Sequence, residues 1–502
     1  MQRSAKFFSI SLIALFISGC AVSTKPIDRM QSEQRSYADL GSMFSNQEPV
    51  TAPITLYDAT ARALKYNLEA RLKVMEEALA QKQVDLSHFD LLPKLAAEAG
   101  YVDRSNTSAS SSESVLSGTQ SLEPSTSQDR NRRVADLNMV WNVLDFGVSY
   151  VTAQQQSDQR WIAEERRRKV IHTIVQDVRS AYWRAVAAER LLSRIDKLID
   201  RVNMAREASQ RMTTQQVGDP IEALSYQRAL IDATRQLEEQ RKALSLAKTE
   251  LATLMNLPLG TDYTLALPDE NALPEPALTM DLSKLEKAAL ISRPELREQD
   301  YQVRISAAET RKAMLRMLPG LEFSAGGHYD SNSYLVNQSW ADAGVKVTWN
   351  LFNLFSGPTA EKVAKAGESV AEARRQAMSM AIMAQLYVAN ANFNEALRQY
   401  HTGEELQKLD DKIVGQLRNR YKTGGIGELQ LIQGELNAVN TSLRNDLAYA
   451  ELRNAYGQIF ATVGLDPLPK LQSSDNLTTI SKALEQSEQN WEHGDISALQ
   501  PQ

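Results

Sequence analysis

The stretch Leu318-Pro319-Gly320-Leu321-Glu322-Phe323-Ser324-Ala325-Gly326-Gly327-His328-Tyr329-Asp330 changes its period at the proline. Beyond it, Leu321, Phe323, Ala325, Gly327 and Tyr329 fall on one side, and Glu322, Ser324, Gly326, His328 and Asp330 on the other. That alternation predicts a strand with one apolar and one polar face. A second run behaves alike, with Ala343, Val345, Val347, Trp349 and Leu351 alternating with Asp342, Gly344, Lys346, Thr348 and Asn350. Far upstream, Ala135, Leu137, Met139, Trp141 and Val143 alternate with Asp136, Asn138, Val140 and Asn142.

These strands sit inside a unit that is written twice. Asn67-Leu68-Glu69 is answered by Arg293-Pro294-Glu295, and Leu92-Pro93 by Leu318-Pro319, both at an offset of about 226. Trp141-Asn142 is answered by Trp349-Asn350 and Gly218 by Gly424 at a shorter offset, because the first copy carries a longer, Ser-rich loop from Ser105 to Ser127. This places repeat 1 at 53–270 and repeat 2 at 271–467, with a polar tail at 468–502 that reads as partly disordered. Four strands of about ten residues fit a transmembrane β-barrel segment, with Trp141 and Trp349 as interfacial aromatics. The same alternation fits a soluble antiparallel sheet with one wet face; the export signal and the repeat favour the barrel.

Helical patterns surround the strands. Leu64, Leu68, Leu72, Met75 and Leu79 recur every three or four residues and predict one amphipathic helix opening the first copy. From about Val151 to Gln216 a helical pattern runs for roughly 65 residues, on the order of 100 Å at 1.5 Å per residue. Beyond Gly218, Leu230, Leu237, Leu244 and Leu251 form heptads, answered by Leu429, Leu436 and Leu443. The returning helix is about half the length of the outgoing one, so two half-length helices stack beside each long one. The basic run Arg166-Arg167-Arg168-Lys169 lies inside the long helix and reads as a solvated face.

The N-terminus sets the compartment. Arg3 and Lys6 precede a short apolar run from Phe7 to Ile17, then Ile17-Ser18-Gly19-Cys20, which reads as a secretory signal at 1–19 and is too short to remain as a membrane span. The small residues before the only cysteine resemble the bacterial lipoprotein box, which implies acylation of Cys20, a lipidated linker at 20–52 and, with Ala21 next, sorting to the outer membrane. An ordinary signal with an incidental cysteine is the alternative. Over 502 residues the formal charge is −6 and charged residues make up 24%, so nothing calls for nucleic acid.

The doubled order of helix, strand pair, long helix and heptad helix, with Arg293-Pro294-Glu295-Leu296 as its second-copy motif, resembles the TolC family of outer-membrane efflux and secretion channels from about Pro53 to Pro467. Leu68 stands where the first copy of that family commonly has Pro. The resemblance implies a mixed, mostly α fold: a homotrimeric duct in which three chains contribute four strands each to a 12-strand barrel, continued by a long α-helical barrel. It implies an exit duct for a tripartite efflux pump or a type I secretion system, partnered by a periplasmic membrane-fusion adaptor and, indirectly, an inner-membrane pump of the RND or ABC type. The adaptor would meet the tips Val217, Gly218 and Asp219, and Gly424, Gly425, Ile426 and Gly427. The gate region would comprise Tyr421, Glu428, Gln430, Gln433 and Glu435. Gln430 and Gln433 replace the acidic ring of related channels, and Ile426 replaces a latching Arg. The tip is therefore expected to be held by packing and amide hydrogen bonds, with Glu428 and Glu435 standing in for the ring.

Two other classes compete. For an enzyme, His88, His172, His328, His401 and His493 are scattered with no metal-ligand spacing and no nucleophile is identifiable, so no catalytic residue, metal or cofactor is expected beyond lipid on Cys20. A lipid-anchored periplasmic coiled-coil scaffold without channel activity would also show heptads. It has no need of four alternating strands.

Overall fold

The computed structural model describes residues 26–121, 123–214, 220–268, 273–467 and 475–494. The chain divides into two units, the first ending at Pro49. In the first, helix α1 (Arg29–Met43) starts where the Asp28 carboxylate accepts from the Gln31 amide at 2.7 Å, and no residue of the helix is buried.

The second unit opens with α2 (Leu56–Tyr66) and α3 (Leu68–Ser87). Thr55 and Asp58 form a reciprocal capping box at the start of α2. The single opening helix expected from the leucine spacing is broken at Asn67, which is extended and whose side chain accepts from the Glu69 and Ala70 amides at 2.9 and 3.2 Å. In the second copy the break falls between α6 (Leu282–Ser292) and α7 (Pro294–Leu315). There Pro294 forces Arg293 out of helical conformation and opens the next helix. Of the expected apolar face, Leu68, Leu72, Met75 and Leu79 are exposed in the single chain, while Ala70, Ala80 and Val84 are buried.

The strands are β1 (Lys94–Asp103), β4 (Asn131–Asn142), β5 (Gly320–Asp330) and β6 (Ser339–Thr348), with a two-residue hairpin of β2 (Ala109–Ser110) and β3 (Ser125–Thr126) inside the Ser-rich loop. They form one antiparallel sheet in the order β1-β4-β5-β6. Sequence alternation carried β4 to Val143 and β6 to Leu351, but they end at Asn142 and Thr348. The Asn142 side chain accepts from the Leu144 and Asp145 amides, and Asn350 from the Phe352 amide, so the repeated Trp-Asn turns strand into helix.

The long helices are α4 (Val143–Thr214) and α8 (Asn353–Lys422), and the returning helices α5 (Pro220–Leu254) and α9 (Glu428–Val463). Helix α4 packs against α3 and α5 on one side and against α7 and α9 on the other; α7 and α9 in turn pack against α8. The heptad leucines Leu230, Leu237, Leu244 and Leu251 are buried. Three of them join Leu191, Ile195, Leu198 and Val202 of α4 and Ile432, Leu436 and Val439 of α9 in one apolar seam.

Nearer the sheet, the α4–α7 seam is polar. Gln155 donates to Glu309 at 3.2 Å, and Asp158 pairs with Arg304 at 2.6 Å, Glu165 with Arg297 at 2.6 Å and Arg166 with Glu298 at 2.7 Å. The basic run is only in part a solvated face: Arg166 and Lys169 are exposed, Arg167 is half-buried and Arg168 is buried. Arg167 pairs with Glu77 at 2.6 Å, and Arg168 is buried against Glu165 and Asp466 and donates to the Ser292 and Gly464 carbonyls. Periodicity assigned the run to a helix surface; carboxylates from distant segments cover that surface at Arg167 and Arg168.

Part of the tail is a packed helix. Helix α10 (Leu477–Glu492) is capped by Asn476 and lays Ile480 and Leu484 against Ala61. Trp491 stacks on Phe460, with ring centroids 4.5 Å apart. Glu488 is buried between Arg179 and Arg453, at 3.4 and 2.7 Å. The apolar residues at 480, 484 and 491 lie on one helical face within a polar sequence.

Candidate functional site

Two regions carry the candidate residues, the sheet and the tip joining α8 to α9. In β4 the residues Arg132, Val134, Asp136, Asn138, Val140 and Asn142 are half-buried, while Ala135, Leu137, Met139 and Trp141 between them are exposed. The polar side of this strand is thus the sheltered one and the apolar side the open one, opposite to a soluble sheet packed on a core. His328 lies on the sheltered polar side, as its parity requires, opposite Asp136 on β4 and Trp340 on β6. Its Nδ1 stands 2.6 Å from Asp136 Oδ1 and its Nε2 3.2 Å from Asp342 Oδ2.

Trp141 and Trp349 are both exposed and lie where strand gives way to helix. Trp141 meets Phe146 edge-on at 5.7 Å, and the Trp349 indole N–H donates to the Met317 carbonyl at 3.1 Å. The two outer strands, β1 and β6, are exposed along their whole length, and each has only one partner.

At the second tip, Gly424 has φ +72°, which a side chain would resist, and the Gly425 amide donates to the Arg420 carbonyl at 2.8 Å to close the turn. Gly427 precedes α9, and Ile426 is half-buried. Val217, Gly218 and Asp219 of the first tip, and Cys20, lie outside the described residues.

Above the second tip the structure brings together residues that the sequence did not connect. Arg201 of α4 pairs with Glu435 at 2.7 Å and with Glu428 at 3.6 Å, and its guanidinium lies 5.9 Å from the Tyr421 ring. Arg418 of α8 holds the other oxygen of Glu435 at 3.0 Å. Tyr226 of α5 also lies here; burial, then the neighbouring Glu428 and Tyr421, push its hydroxyl pKa up. Gln430 and Gln433 are exposed. Charged pairs rather than amides therefore tie the helices together at this level within one chain, and Glu435, its side chain 13% exposed, is neutralised by two arginines. Arg201 and Arg418 were missed because nothing in their local sequence points to a partner on α9.

The remaining histidines are dispersed: His172 pairs with Asp466 and His401 with Glu275, each at 3.0 Å. Among the described residues no group of His, Cys, Asp and Glu is arranged to hold a metal ion, and no helix is long and apolar enough to cross a membrane.

No family model and no curated relative matches the sequence. Solved structures do. The Campylobacter jejuni CmeC outer membrane channel superposes with a TM-score of 0.67 at 14% identity, covering 93% of this chain and 97% of that one. The open state of the Neisseria gonorrhoeae MtrE outer membrane channel gives 0.61 at 17% identity, over 84% and 94% of the two chains. CusC gives 0.64 at 17%, over 84% and 96%. All are channels of one type, and the protein has the fold of the TolC-type outer-membrane channels.

Proposed function

We propose that this protein is the outer-membrane exit duct of a tripartite efflux pump or type I secretion system, assembled as a homotrimer and anchored by lipid on Cys20. The observation that carries the reading is that the chain is open at both edges, in the same order, in both of its layers. The sheet ends in β1 and β6, each paired on one edge and open on the other, and the helix array ends in α3 and α5 on one side and α8 on the other. Exposed apolar residues line both helical edges, with Leu68, Leu72, Met75 and Leu79 on α3 and Val363, Val370, Tyr387 and Val388 on α8. An open strand edge is untenable in lipid. Copies joined head to tail close the sheet and cover the apolar edges in one operation. With three copies the sheet becomes a 12-strand barrel, its apolar side toward lipid and its polar side lining the pore.

In this reading Trp141 and Trp349 mark the inner lipid boundary, residues Val217, Gly218 and Asp219 and the turn at Gly424 to Gly427 meet a periplasmic adaptor, and the Arg201–Glu435–Arg418 cluster holds the tip shut. The duct is passive; its opening is driven by the adaptor and an inner-membrane pump. The lipid-anchored scaffold leaves the exposed apolar side of the sheet without a purpose. Purified full-length protein, reconstituted in a planar bilayer, is expected to give discrete single-channel steps from an oligomer. Membrane-inserted protein that remains monomeric and silent would overturn the duct.

A further inference from the structure

One cross-strand row on the polar side of the sheet differs from its neighbours. Reading across the four strands, Glu98, Asp136, His328 and Trp340 stand in register, and Asp342 lies opposite Gly326, two residues from His328. The imidazole is clamped: Nδ1 is 2.6 Å from Asp136, Nε2 is 3.2 Å from Asp342, and the Trp340 indole covers the ring with centroids 5.1 Å apart and planes 20° from parallel. Gly326 leaves the room for this. A Cβ there would stand 2.5 Å from His328 Nε2 and 2.9 Å from the Asn138 side-chain oxygen.

We propose that His328 sets the charge of the strand-lined part of the pore and thereby makes the duct's preference for cations depend on pH. The inference rests on the sheet being the pore wall. Nδ1 hydrogen-bonds Asp136 and Nε2 faces Asp342 at ion-pair distance, so the doubly protonated ring has a carboxylate within reach of each of its N–H groups. In that form one positive charge is set among the carboxylates of Glu98, Asp136 and Asp342. When the ring loses a proton, the row becomes one unit more negative in every chain. On the histidine's own strand Asp330 is paired with Arg132 of β4 at 3.1 Å, and Glu322 lies opposite Lys346 of β6, three cross-strand rows away. A ring of such rows around the lumen contributes to the field that passing ions meet.

The test is the reversal potential of single channels of the full-length protein in a potassium chloride gradient at low ionic strength, from about pH 5 to about pH 9, which brackets histidine titration. The permeability ratio of potassium to chloride is expected to rise by about twofold across that range. In His328→Gln it is expected to stay flat at the high-pH value. Gly326→Ala, which keeps the histidine but turns Nε2 away from Asp342, is expected to move the transition to lower pH. Wild-type channels whose selectivity ignores pH, or an undiminished shift in His328→Gln, would overturn the inference and leave the duct standing. Inserted protein that forms no pores would overturn the duct reading, and this inference with it.

Discussion

Asp466 lies where burial and hydrogen bonding pull in opposite directions. Burial, the largest influence, raises its carboxyl pKa, but the hydrogen bond from His172 and the Arg168 guanidinium outweigh it and hold the group below the usual carboxylate range. A pKa lower in the folded than in the unfolded chain means that this contribution to stability is fully present above the unfolded value, about 3.9, and is lost as pH falls through the folded value. Asp466→Asn is therefore expected to lower stability at neutral pH by about 1–3 kcal/mol, with the deficit against wild type shrinking below about pH 4. Thermal unfolding of both proteins at the two pH values checks this; a deficit that is the same at both would contradict it. Residues of this kind are the least legible from sequence. The parity of a strand was enough to put His328 on the polar side, because that depends only on its neighbours. The partners of Arg168 lie at Ser292, Gly464 and Asp466, and no local pattern announces contacts across so long a stretch of chain.

Elements were more legible, because their periods are local. The alternation after Leu318-Pro319 emerged as a strand, and the heptads from Leu230 to Leu244 as a buried seam. What was misjudged were the ends. Asn67 interrupts a pattern that looked continuous, and Asn142 and Asn350 start helices that the alternation had assigned to strand. In each case a short polar side chain bonding to nearby backbone amides overrides the apolar period. Helix α10 escaped notice because its apolar residues are few and widely spaced along a polar segment. The tip cluster belongs to this scale, since Glu435 on α9 cross-links α4 and α8. Glu435→Gln removes both ion pairs while keeping the side-chain volume. Given about 1 kcal/mol for the pair with Arg201, the more sheltered of the two arginines, the open-to-closed ratio is expected to rise about fivefold. Single-channel open probability reads this directly, and an unchanged value would remove the cluster from the gate.

At the scale of the whole molecule, the sequence supplied the doubled order of elements but not how they close. Closure is a property of edges, and an edge is visible only when the neighbours of every strand and helix are known. The sheet and the helix array end on the same sides of the chain, with apolar residues along both helical edges. The most direct test joins β6 of one chain to β1 of the next. Cysteines are placed one at a time along β1, for example at Ala97, and along β6, for example at Ala343, in the same full-length chain. Within one chain these strands are three strand spacings apart, about 14 Å, beyond the reach of a disulfide at about 7 Å between Cα atoms. Any disulfide between them must therefore join two chains. Oxidation in the membrane is expected to give, for pairs in register, a covalent ladder that ends at three chains. Only monomers at every register, or a ladder that never closes, would contradict the ring-shaped duct.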